Sequence, residues 1–149
     1  MKADIKVDTS RLDKALRQAR LTQRDMIDIA GNGSKVIINE QRRLVPVDTA
    51  ETKVSIGDHI VEASKTRVVD DVGPETDYAT WLEYGTGEFA EGGNGRRGGW
   101  FYVDENGGHF TRGMHPRPFV RPSILENAVN ITKAISAGFV SILRQRWPT

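Results

Sequence analysis

TQRDMIDIAGNGSKVIINEQRRL, residues 22–44, is the stretch whose reading decides the fold. Thr22 is a capping candidate, and Met26, Ala30, Gly33, Ile37 and Leu44 fall near one helical face with Ile29 and Val36 alongside. The run Gly31-Asn32-Gly33-Ser34 argues against continuity, since each interior glycine costs about 1 kcal/mol relative to alanine. The apolar stripe nevertheless keeps its phase across that run, and tertiary packing can offset propensity. A helix over about 22–44 is therefore predicted, stopped by Pro46.

Upstream, residues 2–8 (KADIKVD) alternate apolar and charged as a half-buried strand does, and Thr9 or Ser10 caps a short helix carrying Leu12, Ala15, Leu16 and Ala19. Downstream, Val54 and Ile56 alternate, then His59, Val61 and Ala63 do so in the opposite phase, which predicts a strand with a bulge near Gly57. Arg67 to Gly73 is its antiparallel partner. Asp77 to Tyr84 makes one or two helical turns ended by Gly85. Trp100-Phe-Tyr-Val103 and His109-Phe-Thr-Arg112 flank a turn at Asp104-Glu-Asn-Gly-Gly108, a hairpin signature. Ser123-Ile-Leu-Glu126 has the form of a capping box. It opens a last helix with Ile124, Ala128, Ile131, Ile135, Phe139 and Ile142 on one stripe, and with Arg144 and Arg146 near its negative end.

The expected fold is one α+β domain over residues 1–149. A small, mostly antiparallel sheet carries the long N-terminal helix and the C-terminal helix on one face, and a β-hairpin projects as an insertion. The glycines crowded between Gly85 and Gly113 mark residues 86–115 as a flexible, loop-rich insertion.

Composition narrows the function. The chain has no cysteine, which removes disulfides, zinc thiolates and thiol nucleophiles. Lysine plus arginine number 21 against 20 acids, so no global field exists to hold a polyanion. No apolar run is long enough to span a bilayer, and the protein is expected in solution, away from membranes. The histidines His59, His109 and His115 have no second ligand at metal-site spacing, and Asp104 to Gly108 lacks the later glutamate of a calcium loop. Adjacent Asp70 and Asp71 point to opposite faces of a strand and cannot share a proton, and Gly85-Thr-Gly87 is no phosphate cradle. No enzyme, metal or cofactor is expected. Arg96 and Arg97, followed by Trp100, Phe101 and Tyr102, fit either a single-strand nucleic-acid binder or an aromatic protein interface, and the neutral chain favours the interface.

Three phrases in fixed order carry a resemblance: Leu44-Val-Pro-Val-Asp-Thr49, Tyr78-Ala-Thr-Trp-Leu-Glu-Tyr-Gly-Thr86 and Pro116-Arg-Pro-Phe-Val-Arg-Pro122. The set, spread over about residues 10–145, resembles the family of the tenth gene product of the lambdoid phage Hong Kong 97, the head-to-tail joining or tail completion proteins of tailed phages and prophages. One departure is Ala50, where that family's Pro-x-Asp-Thr-Gly has glycine. The resemblance implies a structural virion-assembly protein of the neck or tail, made in the host cytoplasm. It implies a homo-oligomer closing a ring of six, other neck and tail proteins as partners, and DNA passing through the lumen without sequence-specific binding. A tail-terminator ring is the near alternative, and a nucleic-acid-binding module the distant one. Tyr78, Trp81, Tyr84, Thr86, Arg96, Arg97, Trp100, Tyr102, Phe110, Arg117, Phe119 and Arg121 are the expected interface residues. Pro46, Asp48, Thr49, Gly85, Pro116, Pro118 and Pro122 are the expected structural turns.

Overall fold

The computed structural model describes residues 21–46 and 50–146. The strand expected over 2–8, the helix after it, and Asp48 and Thr49 lie outside the described residues.

Helix α1 runs Gln23–Leu44 without a break. Its start is a reciprocal capping box: the Thr22 hydroxyl accepts the Asp25 N–H at 3.2 Å, and the Asp25 carboxylate accepts the Thr22 N–H at 2.6 Å. The two glycines in its middle differ in kind. A Cβ on Gly31 would meet nothing within 4 Å, whereas one on Gly33 would stand 2.9 Å from Cγ1 of Ile135. Gly33 is therefore the point where the C-terminal helix crosses α1, and the crossing is close on both sides: a Cβ on Gly138 would reach 2.3 Å from the Asn32 amide nitrogen. This packing offsets the propensity that the Gly-Asn-Gly run gives up.

After Val45 the chain turns. Residues Ala50–Ser55 form a short helix, α2, where the sequence alternation predicted the start of a strand. Two apolar residues two apart are too short a pattern to set the period. Thr52 is the buried residue of α2, Val54 faces solvent, and Ile56 plugs the core just beyond the helix. Strands β1 (Gly57–Ala63) and β2 (Val68–Gly73) then pair antiparallel as expected. The irregularity that flips the phase lies between Ile60 and Glu62, not at Gly57. Helix α1 packs across this pair, tied to β2 by the hydrogen bond that Ser34 donates to Asp70.

Helix α3, Asp77–Tyr84, and a 3₁₀ turn at Gly87–Phe89 lead into the insertion. Strands β3 (Trp100–Asp104) and β4 (Gly107–Thr111) form the expected hairpin, a second two-stranded sheet separate from the first. The glycine-rich segment before it folds back on the 3₁₀ turn: a Cβ on Gly95 would fall 1.8 Å from the Gly87 carbonyl oxygen, and the Gly98 N–H donates to Glu88.

The C-terminal region is two helices, α4 (Val120–Leu125) and α5 (Ala128–Arg146). The capping box expected at Ser123 does not form. Ser123 is inside α4, fully buried, and its hydroxyl donates back to the Val120 carbonyl at 2.6 Å. Helix α5 packs along α1, and an ion pair from Arg146 to Asp25 ties its end to the start of α1. The α+β class holds, with α1 as the central element between sheet and C-terminal helix.

The two interior glycines give a paired test. Gly31→Ala is expected to stabilise by about 0.5–1 kcal/mol, because alanine is the better helix former and the site is open. Gly33→Val is expected to destabilise by about 1–3 kcal/mol by overpacking the crossing with Ile135. Gln41 offers a second test. It is fully buried and its side-chain amide has no partner among the described residues, so Gln41→Met is expected to raise stability by about 1 kcal/mol. Chemical denaturation midpoints read all three.

Candidate functional site

The three phrases quoted from the sequence meet in space. Val45 from the first, Ala79 and Leu82 from the second, and Phe119 from the third form the buried core with Ile56. Ile38, Leu44, Met114 and Val120 pack around them. Phe119, expected as a subunit contact, is instead 0% exposed and fills its own chain's core.

A buried carboxylate holds the second and third phrases together. Glu83, near the end of α3, points at the first turn of α4 and accepts the backbone N–H groups of Phe119, Val120 and Arg121 at 2.8, 2.9 and 3.0 Å. Donors at the start of a helix have no partner within it, and the carboxylate caps them from another element. The Arg121 guanidinium donates to the same carboxylate through Nε at 2.9 Å and grips Glu91 with its two terminal nitrogens at 2.9 and 2.6 Å. Burial pushes the Glu83 carboxyl up, but the three N–H groups and the guanidinium outweigh it and hold the carboxyl below its ordinary range. Glu91 is likewise lowered, by its bonds to Arg121.

The backbone completes the joint. Arg117 N–H donates to the Leu82 carbonyl at 2.7 Å, Thr86 N–H to the Met114 carbonyl at 2.9 Å, and Met114 N–H to the Thr86 hydroxyl at 3.0 Å. Gly85 has φ 73°, and a Cβ there would lie 2.7 Å from the Met114 oxygen and 2.8 Å from Pro116 Cδ. Only glycine allows that approach. Thr86, Arg121 and Pro116 therefore serve the joint, where the sequence reading had placed Thr86 and Arg121 at an interface.

The remaining expected interface residues are at the surface. Tyr78, Trp81 and Tyr84 lie on the outer side of α3 and are exposed. They have internal contacts as well: Tyr78 and Trp81 meet edge to face at 5.9 Å, the Tyr78 hydroxyl reaches Met114 Sδ, and Arg121 lies 4.8 Å over the Tyr84 ring. Arg97 and Arg117 are exposed, as is Pro118, and Arg96 lies 5.4 Å over the Trp100 ring. A guanidinium thus covers the ring that a stacked base would need.

The hairpin register divides its aromatics between two faces. Phe101 pairs with Phe110, and Trp100 and Tyr102 pair with Thr111 and His109. Trp100 and Tyr102 consequently do not share a face with Phe110. The face with Phe110 also carries Phe101, 79% exposed, one of the aromatics expected at an interface, and Val103, 82% exposed, which was not. The missed signal was WFYVD itself, apolar on both faces of one strand. A second overlooked patch lies at the α4–α5 junction, where Ile124, Leu125 and Val129 are exposed.

Reactive groups are dispersed. His109 contacts Asp104 at 3.0 Å, His115 stacks on Phe89 at 3.9 Å, and His59 lines a shallow groove with Asp58, Asp71 and Glu75. Among the described residues no three histidine, aspartate or glutamate side chains converge as a metal site. None of the described helices is long and apolar enough to cross a membrane. The fold and its surface define a small α+β scaffold whose distinctive exposed groups are aromatic and aliphatic. No protein-family model matches the chain, and neither a curated protein nor a solved structure matches it at a significant level.

Replacing Glu83 tests the joint. Glu83→Gln substitutes an N–H₂ where donors already converge, and a loss of about 3 kcal/mol is expected, since removing one partner strands the others. A carboxyl depressed on folding contributes stability that is present above its unfolded value, near 4.5, and lost as pH falls through the folded one. Urea midpoints of the wild-type chain should fall below about pH 4.5, and that decline should be shallower in Glu83→Gln.

Proposed function

We propose that this chain is a structural virion-assembly protein, a ring-forming subunit that joins head to tail in a tailed phage or prophage, and that it is not an enzyme. The observation that carries the reading is the convergence of the three phrases. Residues spread over the chain from Val45 to Arg121 serve one core and one joint, and each is used for shape: Phe119 as a plug, Gly85 as a close approach, Glu83 as a cap. A scaffold built this way offers surfaces in place of reactive groups.

A second support is the hairpin. A two-stranded hairpin is marginal in water unless something packs on it, and this one presents an apolar face to solvent. The largest apolar patch on a small protein is often the one it uses to meet a partner. In a ring, neighbouring subunits and the adjoining neck or tail proteins supply that cover, and DNA passes through the lumen held by no sequence-specific contact.

The test is genetic and visual. Particles assembled without this protein should appear by electron microscopy as DNA-filled heads lying apart from finished tails, and supplying the protein in trans should restore joined virions. Joined, infectious particles in its absence would remove the reading, as would substrate turnover abolished by one polar substitution.

A further inference from the structure

We propose that the apolar face of the β3–β4 hairpin, Phe101, Val103 and Phe110, seats on the Ile124, Leu125 and Val129 patch of a second copy of this chain. The inference rests on the ring reading above and deepens it by naming the two surfaces that meet.

The strands of the hairpin pair with each other and pack extensively on no other described helix or strand; beyond that pairing they have local contacts such as Gly99 beside Phe110 and Arg96 over Trp100. With Phe101 and Val103 about four-fifths exposed and Phe110 half exposed, its face offers roughly 400 Å² of apolar side chain, the size of the largest patch on a typical monomer. The candidate receiver is of similar extent. Leu125 is 75% exposed, Val129 66% and Ile124 42%, which gives roughly 300 Å² of aliphatic surface across the junction of α4 and α5. None of the three has a polar handle, so water gains nothing from their exposure. The other exposed cluster, on α3, is a poorer receiver because Tyr78 and Tyr84 are already engaged by Met114 and Arg121.

Charge sets the orientation. Glu105 stands at the hairpin tip beyond Val103, and Lys133 stands one turn beyond Val129 on the same side of α5. Neither has an ion-pair partner among the described residues, whereas Asp104 at the tip meets His109, and Arg43 beside the patch meets Glu40. Seating the hairpin with its tip toward α5 brings the two unpaired charges together.

Two different patches on one subunit make a head-to-tail contact, the kind that closes rings. Together they bury roughly 700 Å² of apolar surface, less than half of a standard stable interface. A single contact is therefore weak and concentration-dependent, and closure, which engages both patches of every subunit, makes it lasting.

The chain contains no cysteine, which allows a clean trap. Full-length Val103→Cys and Leu125→Cys proteins are mixed, treated with a short bis-maleimide, and compared with each protein alone and with Val103→Cys mixed with Val54→Cys, an exposed site on α2. Light scattering over a concentration series follows association in parallel, and circular dichroism checks that each variant is folded. The 103–125 mixture should give at least ten-fold more cross-linked dimer than either control, and adding Glu105→Lys to the first protein should cut that yield several-fold. Association without the 103–125 product, or equal trapping by Val103→Cys alone, overturns this inference and leaves the ring reading standing. A chain that stays monomeric at every concentration, with no trapped product, overturns both.

Discussion

The Glu83 carboxylate sits where the end of α3 meets the start of α4. Three backbone N–H groups at the start of α4 need an acceptor, because the first N–H groups of a helix have none within it. A carboxylate brought from α3 satisfies them together and would itself be costly to bury without them. The arginine that follows, Arg121, neutralises that charge and extends the grip to Glu91. Once this joint forms, Phe119 is directed into the core, Arg117 lies along Leu82, and the chain between Thr86 and Met114 is closed at its base. The hairpin insertion is thus held at its root although its Phe101 and Val103 side chains stay largely uncovered.

The second constraint is the crossing of α1 and α5 at Gly33 and Gly138. Helix α5 runs for five turns without one fully buried residue, so its position depends on how closely it can approach α1. Glycine at both points of contact removes the side chains that would hold the helices apart. Helix α1 then has two roles, carrying the β1–β2 pair on one side through Ser34 and Asp70 and the C-terminal helix on the other. The assembly is thin, and its apolar residues are only partly covered by its own chain. That economy suits a subunit whose remaining cover comes from neighbours.

Much of the local structure was legible in the residues. The length of α1, the β1–β2 pairing, the short α3 ended by Gly85 and the β3–β4 hairpin all follow from periodicity and punctuation spread over several residues. Failures came where the signal was brief or ambiguous. Val54 and Ile56 gave a period from two residues, and Ser123 with Glu126 matched a capping box that competes with a hydroxyl bond to Val120. Phe119 looked like a surface anchor because an aromatic between prolines reads the same whether it faces a partner or its own core.

By itself the sequence determined the longer helices, the two strand pairs, their order and the absence of thiol chemistry, since these depend on neighbouring residues and on composition. It also contained the three phrases, though not what they do together. Only tertiary structure decided that they form one core, because Glu83 and Arg121 are separated by almost forty positions and no local pattern links a carboxylate to the N–H groups it will cap. Which face of the hairpin is apolar and bare was decided there too. In a strand apolar on both sides, register with the partner strand sets which aromatics stand together, and burial by the rest of the chain sets which remain exposed.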